Sequence, residues 1–244
     1  MPTSAAQRAG EKPYDGTVNG QDPGTALPCR REFNQNFSAQ TWLSALQTAL
    51  EAARRLPWVD ESRTLVLGIS EGATMAALLA ARNQYVTNVV MVGGSGTTQL
   101  YDLVVSAYQR CANVSPCLAR IYSQVHDIYT YPDSATRFAW GHPYKRWASF
   151  LRIDPSEELL RSHAHVFWAF GTDDTSTPPL SAEVAIARLQ IAGCDLTVRR
   201  IPHANHMLMS RGEYDFVSTD REFRSALRWF WSDHAGSTRG CAGH

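Results

Sequence analysis

The sequence lacks an excess of either charge and a long apolar run, and both absences narrow the class of protein. Lysine plus arginine and aspartate plus glutamate number 23 each in 244 residues, so the formal net charge is zero. A balanced chain has no overall field that would attract nucleic acid or an anionic membrane. The longest apolar run, around residues 73–81, is much shorter than the roughly 20 residues of a membrane-spanning helix. We therefore expect no nucleic-acid partner and no membrane span.

Cysteine pairs of the kind that bind metal or cycle between redox states are also missing. The five cysteines are spread along the chain, and no two form a Cys-x-x-Cys pair. Residues 1–6 lack the apolar core of a secretory signal, although a signal could have preceded them. These features favour a cytoplasmic protein with reduced thiols. In an oxidising compartment, Cys111 and Cys117 are close enough in sequence to bridge.

After an irregular N-terminal segment, the apolar residues recur in the patterns of alternating helices and strands. Residues 1–38 are rich in glycine, proline and polar side chains, and we expect an irregular segment there. Ser38 is a candidate N-cap for a helix that ends near Arg55. Short apolar runs then predict strands, with helices between and after them. The predicted strands are 64–68, 88–92, 165–170 and 195–201, and the predicted helices are 71–82, 180–191 and 220–231. This alternation predicts an α/β fold with a mostly parallel sheet and flanking helices.

About seventy residues without a clear strand separate the second and third predicted strands. This stretch is too long for a plain crossover, so we expect a helical cap insertion over 97–160. The predicted core is then residues 39–96 together with 161–235. Many aromatic side chains fall in the insertion. Most of them would pack the cap, and any that face a pocket would favour an apolar or aromatic substrate group.

The sequence Gly68-Ile69-Ser70-Glu71-Gly72 matches G-x-S-x-G and stands between a predicted strand and a predicted helix. In that context the motif places Ser70 on a tight turn at the carboxyl edge of the sheet, where its hydroxyl can act as a nucleophile. The backbone N–H of Glu71, at the start of the helix, could stabilise an oxyanion. The alternative is a plain Gly/Ser turn without chemistry.

A serine nucleophile needs a base and an acid, and two candidates for each follow later strands. Asp173 and Asp174 lie on the loop after the third strand, and both could instead cap the next helix. His203 and His206 lie on the loop after the fourth strand. The order serine, acid, histidine is the one that this kind of sheet requires. No third ligand accompanies the two histidines, so we expect no metal, and the proposed chemistry requires no cofactor.

The chain from Cys29 to its end resembles α/β-hydrolase-family proteins of the serine esterase and prolyl-oligopeptidase-like kind. The segment Gly68–Ala73 resembles their Gly-His-Ser-x-Gly-Gly elbow, with Ile69 in place of the frequent histidine and Ala73 in place of the last glycine. A serine at the nucleophile position speaks against the dehalogenase and epoxide hydrolase branches, which use aspartate.

The resemblance also selects among the acid and base candidates. The spacing Gly-x-x-Asp-x-x-x-Pro resembles the acid loop of many relatives and implies Asp174 rather than Asp173. The sequence Ala-Asn-His resembles their histidine turn and implies His206 rather than His203. The resemblance therefore implies a serine hydrolase that cleaves a small carboxylic ester, with an apolar or aromatic acyl or alcohol group, through an acyl-enzyme.

The chain departs from these relatives before the nucleophile. Only 69 residues precede Ser70, and neither a convincing early strand nor a His-Gly-Gly loop for a second oxyanion donor is present. The nucleophile strand is therefore expected at an unpaired sheet edge. Either the natural protein is longer by a βαβ portion, or a partner subunit covers the edge in a homo-oligomer.

Three other functions compete with the esterase prediction. One is a serine peptidase or amidase of the prolyl-oligopeptidase-like kind, with a peptide-like substrate. Another is a catalytically impaired hydrolase fold that serves as a binding module, because the second oxyanion donor is missing. A third, nucleotide binding by residues 93–96, is weak, because Gly-Gly-Ser-Gly lacks the G-x-G-x-x-G spacing.

Overall fold

A computed structural model describes residues 31–212, 216–232 and 241 of the chain. The chain divides into two compact units, one formed by residues 1–59 and 103–153 and the other by residues 60–102 and 154–244. The boundaries of the predicted core and cap differ from these, because residues 39–59 group with residues 103–153, and residues 97–102 and 154–160 group with the other unit. Of the segment predicted to be irregular, residues 1–30 lie outside the described residues.

The described elements alternate between helix and strand, as the apolar pattern predicts. In chain order they are α1 (Arg31–Asn36), α2 (Ala39–Arg54), β1 (Leu65–Ile69), α3 (Glu71–Arg82), β2 (Asn88–Val92), α4 (Gln99–Arg110), α5 (Val114–Thr130), β3 (Phe138–Ala139), β4 (His142–Pro143), α6 (Tyr144–Phe150), α7 (Pro155–Leu160), β5 (His165–Gly171), α8 (Pro179–Ile191), β6 (Leu196–Ile201) and α9 (Val217–Trp231). Each strand and helix predicted for the core is present, within three residues of its expected bounds.

A four-stranded parallel sheet organises the second unit, in the order β1-β2-β5-β6. Every residue of β2 is buried, because strands lie on both sides of it and helices cover its faces. Val90, Phe167 and Trp229 belong to one apolar cluster that joins the sheet to α9. The predicted α/β fold with a parallel sheet and flanking helices is confirmed.

The two edges of this sheet differ in their protection. β1 pairs with β2 alone among the described strands, as expected for the strand before Ser70, and Leu67 in it is exposed. On β6, by contrast, Arg199 pairs with Glu222 and Arg200 pairs with Glu183. Charged side chains on an edge strand discourage pairing with another chain. β1 itself (Leu65–Ile69) contains no charged side chain.

Aromatic side chains build the interior of the first unit. Ser38 caps α2 as predicted, since its hydroxyl accepts from the Thr41 N–H at 3.2 Å. Phe37 contacts the rings of Trp42 and Phe150, and all three side chains are buried. α1 contributes Phe33 to this cluster, so the end of the segment expected to be irregular is helical.

In the part of the chain described here, no helix combines the length and apolar character that crossing a membrane requires.

Four of the five cysteines form disulfides, which differs from the expectation of reduced thiols. Cys111 is bonded to Cys117, and Cys194 is bonded to Cys241. The first pair joins residues that are six apart, which the sequence allowed. The second pair joins residues 47 apart, and spacing in the sequence offers no signal for such a bond. Cys29 lies outside the described residues.

Candidate active site

Ser70 occupies a strained turn between β1 and α3. Its φ of 54° and ψ of −123° are rare for a residue with a side chain. The Ser70 N–H donates to Val92 O at 2.8 Å, and the Ala73 N–H donates to Ser70 O at 3.0 Å. Such strain costs on the order of 1–3 kcal/mol and persists only where surrounding contacts enforce it. The backbone of the predicted nucleophile turn is therefore fixed on both sides of Ser70.

The two glycines of the motif have different roles in this turn. A Cβ on Gly68 would lie 2.1 Å from Gly72 O, so strand and helix can approach each other only if residue 68 has no side chain. A Cβ on Gly72 would meet nothing within 4 Å. Close approach of the backbone thus explains the first glycine of the motif and not the second.

Asp174 and His206 form a hydrogen-bonded pair at the carboxyl edge of the sheet. His206 Nδ1 lies 2.8 Å from Asp174 Oδ2. Asp174 Oδ1 accepts from the N–H groups of Ser176 and Thr177, at 2.7 and 2.9 Å. The Asp174 side chain is 1% exposed and the His206 side chain is 22% exposed. One carboxylate oxygen therefore orders its own loop while the other holds the imidazole.

The two alternative residues face each other on the surface. Asp173 Oδ2 lies 3.7 Å from His203 Nδ1 and 3.3 Å from Arg211 Nη2. The side chains of Asp173 and His203 are 38% and 74% exposed. Solvent weakens such a pair, whereas a buried pair is held in one geometry. Neither aspartate provides the N-cap of α8, which is Pro178.

The loop after β2 lies between the serine and the histidine, a role that sequence reasoning missed. Gly93 has a φ of +54°, and a Cβ on it would lie 2.7 Å from His206 O and 3.4 Å from His206 Nδ1. A Cβ on Gly94 would lie 2.3 Å from Ala73 Cβ and 3.4 Å from Ser70 O. The signal was the Gly-Gly pair directly after a buried strand, at the edge where the other candidates also lie.

Ser70 and His206 are thus neighbours of one short loop, yet they are not hydrogen-bonded to each other among the described residues. Catalytic hydrogen bonds are often long in a free enzyme and shorten when substrate binds. Glu71 is the first residue of α3, so its N–H belongs to the positive end of a twelve-residue helix. Ser70, this N–H and the Asp174–His206 pair therefore all lie at the carboxyl edge of the sheet.

A second carboxylate, partly buried, lies at the same edge and was also missed. Asp102 is in the first turn of α4. Burial raises the pKa of its carboxyl to about 6, opposed by the nearby hydroxyls of Ser95 and Ser181 and reinforced by the charge of Asp174. From sequence alone, an aspartate in the first turn of a helix is explained by the helix dipole.

Comparison with known proteins establishes the family. Residues 43–210, which include the serine, aspartate and histidine described above, match the family described as BAAT / acyl-CoA thioester hydrolase C terminal. The chain belongs to this family. The match spans more than half of the chain, and it confirms the resemblance to the α/β-hydrolase superfamily. No curated protein matches the chain significantly.

Solved structures share the fold at low sequence identity. A structure of DcsB in complex with its substrate analogue is 16% identical with a TM-score of 0.54, over 83% of this chain and 75% of that one. An α/β hydrolase enzyme from a sediment metagenome of the lagoon of Mar Chica, Morocco, is 17% identical with a TM-score of 0.51, over 91% and 75%. The acylaminoacyl peptidase of Pyrococcus horikoshii is 12% identical with a TM-score of 0.54, over 80% and 28%.

Proposed function

We propose that this chain is a serine hydrolase that cleaves a carboxylic ester or thioester through an acyl-enzyme. Ser70 is the nucleophile, His206 is the base and Asp174 is the acid. The observation that supports this assignment best is the 2.8 Å contact between His206 Nδ1 and the buried Asp174 Oδ2, at the edge where Ser70 sits on a strained turn. Membership of a family named for thioester hydrolysis extends the expected ester substrate to thioesters.

The order of proton transfers follows from the hydrogen bonds. Asp174 Oδ1 is occupied by two backbone N–H groups, so Oδ2 is left to accept from His206 Nδ1–H. That bond fixes the tautomer in which Nε2 is free to take the proton of Ser70. Ser70 Oγ then attacks the acyl carbon, and the Glu71 N–H donates to the oxyanion. Such a donor contributes about 10²–10³ in rate.

The second half of the cycle returns the enzyme to its starting state. Protonated His206 gives its proton to the departing alkoxide or thiolate, which leaves Ser70 acylated. Nε2 then takes a proton from water, the hydroxide formed attacks the acyl carbon, and the Ser70 oxygen leaves with the proton. A thiolate is a better leaving group than an alkoxide. Acylation of Ser70 by a thioester therefore depends less on proton donation from His206 than acylation by an ester. No metal or cofactor enters these steps.

The two Asp–His pairs provide a matched test of this assignment. Asp174→Asn should lower kcat on a short p-nitrophenyl ester or acyl thioester by roughly 10⁴, because the amide favours the wrong imidazole tautomer. Asp173→Asn, the same change one residue earlier on the surface, should leave kcat within a few-fold of wild type. The reverse result would assign catalysis to Asp173 and His203. Turnover of anilides alone would favour the peptidase function, and no turnover would favour a binding module.

The free side of β1 among the described strands supports association of two copies as part of this proposal. Leu67 is exposed there, and β1 uses one of its two sides for pairing among the described strands. We expect light scattering in dilute solution to give a mass above 27.1 kDa, and Leu67→Lys to return it to that of one chain. A fully active wild-type monomer would contradict the association.

The assignment of residues 97–160 to a substrate-shaping cap likewise stays a prediction.

A further inference from the structure

A cavity of about 380 Å³ lies within the first unit, where α4, α5 and the turn between β3 and β4 line it. All the described residues that line it fall between positions 103 and 140. Its walls are mostly apolar, and no aspartate or glutamate is among these lining residues. A cavity of this size with a few polar groups in an apolar wall is typical of a small-molecule site.

Trp140 lines this cavity from a backbone conformation that suits other residues better. It is the first of the two residues that connect β3 to β4, and its φ is 46° while that of Gly141 is 81°. Two-residue hairpin turns with positive φ at both positions favour asparagine or aspartate, followed by glycine. A bulky side chain in this region is strained, and strain of this kind clusters at functional positions. The turn alone therefore does not explain a tryptophan at this position.

Packing within the unit covers only part of the Trp140 side chain. The buried ring of Trp147 lies edge to face with the Trp140 ring, with a centroid distance of 5.1 Å and an interplanar angle of 79°. The Trp147 indole N–H donates to the backbone O of Ala139, the residue before Trp140, so Trp147 is itself held in place. Trp140 nevertheless remains 41% exposed. It therefore presents a supported aromatic surface to an occupant of the cavity.

Two arginines give the same cavity a positive charge. Arg110 is the last residue of α4, Arg120 lies in α5, and both line the cavity. Neither forms an ion pair with a carboxylate of the described residues. Arg120 Nη2 donates to Cys117 Sγ at 3.3 Å, which places this guanidinium beside the disulfide with Cys111. Residues 103–153 contain six arginines and lysines and only two acidic residues, so the surrounding segment is also positive. This charge favours an anionic ligand.

We propose that this cavity binds a small aromatic carboxylate. The ring of the ligand packs against Trp140, and its carboxylate accepts hydrogen bonds from Arg110 and Arg120. Guanidinium groups bind carboxylates through paired N–H···O bonds, which a neutral ligand of the same shape cannot match in strength. The Cys111–Cys117 disulfide joins the residue after α4 to α5 and so links two walls of the cavity. The binding is non-covalent and does not depend on the proposed hydrolysis.

Isothermal titration calorimetry of the disulfide-bonded protein with 2-naphthoate tests this inference. We expect saturable binding of one molecule per chain, with a Kd on the order of 10⁻⁴ M. The uncharged 2-naphthamide should bind roughly tenfold more weakly, and Arg110→Gln should weaken 2-naphthoate by a similar factor. Arg55→Gln is the matched control, because Arg55 is an exposed arginine of the same unit that does not line the cavity. It should leave the affinity unchanged.

Trp140→Asn separates a binding role of the tryptophan from a structural one. Asparagine is the residue that this turn favours, so the urea midpoint should not fall, whereas the affinity for 2-naphthoate should fall roughly five- to tenfold. Trp58→Asn, at an exposed tryptophan outside the cavity, should leave the affinity unchanged. Equal affinity of wild type for 2-naphthoate and 2-naphthamide, or full affinity in both Arg110→Gln and Trp140→Asn, would overturn the inference. Unlabelled Ser70 would refute the proposed hydrolysis and leave this binding site standing.

Discussion

Gly93→Ala should disable the site by pushing His206 out of place. The new Cβ would lie 2.7 Å from His206 O, so the histidine backbone must retreat by about 0.7 Å to reach an ordinary contact near 3.4 Å. A displacement of this size near reacting groups costs on the order of 10²-fold in rate. The φ of +54° adds about 1–2 kcal/mol of strain for alanine, and the crowding adds about 1–3 kcal/mol.

Gly193→Ala is the matched control. Its backbone also has a positive φ, but the new Cβ would contact no other residue. Gly193 follows α8 with a φ of +71°, and a Cβ on it would meet nothing within 4 Å. It should lose about 1–2 kcal/mol of stability and keep its full rate. Urea unfolding measures the first quantity, and the rate of fluorophosphonate labelling at a temperature where both variants are folded measures the second. If folded Gly93→Ala protein is labelled at the same rate as wild type, the placement of His206 against this loop is refuted.

Further predictions concern the turn at Ser70, the two disulfides and the carboxyl group of Asp102. Gly68→Ala should cost about 1–3 kcal/mol or more, whereas Gly72→Ala should be neutral or stabilise by up to about 1 kcal/mol; comparable urea midpoints for the two would contradict the described turn. Loss of the Cys194 disulfide, which closes the longer loop, should cost about 4 kcal/mol and loss of the Cys111 disulfide about 2 kcal/mol, measured by unfolding of the serine variants. Because the pKa of Asp102 rises from 3.8 to about 6 on folding, its contribution to stability falls as pH rises through that window. Asp102→Asn should therefore gain on the order of 3 kcal/mol relative to wild type between pH 4 and 7, and a constant difference between their unfolding free energies would contradict this.

Local sequence signals were sufficient where a residue's role depends on its own strand or helix. The bounds of α3 and β2 followed from apolar runs and their breaks, since burial on both faces leaves a continuous apolar pattern. The placement of Ser70 followed in the same way, because a G-x-S-x-G motif between a strand and a helix leaves few backbone options. The same edge brings together the loops after β5 and β6, as a parallel sheet requires.

Roles that depend on contacts between distant segments could not be predicted in this way. Two adjacent aspartates have the same sequence environment, and burial against His206 rather than exposure beside His203 distinguishes Asp174 from Asp173. The contact of Gly93 with the histidine loop was not predicted, because the group that it must accommodate is more than a hundred residues later. The Cys194–Cys241 bond was missed for the same reason.

Covalent labelling of the folded protein by a fluorophosphonate, with the adduct located by mass spectrometry, tests the central claim most directly. The reagent reacts with a serine hydroxyl only where a base activates it, and it requires no knowledge of the substrate. The account predicts an adduct on Ser70, its loss in Ser70→Ala, and strongly slowed labelling in His206→Ala beside unchanged labelling in His203→Ala. Folded wild-type protein that remains unlabelled, or that is labelled at another serine, would contradict the assignment of Ser70 as an activated nucleophile.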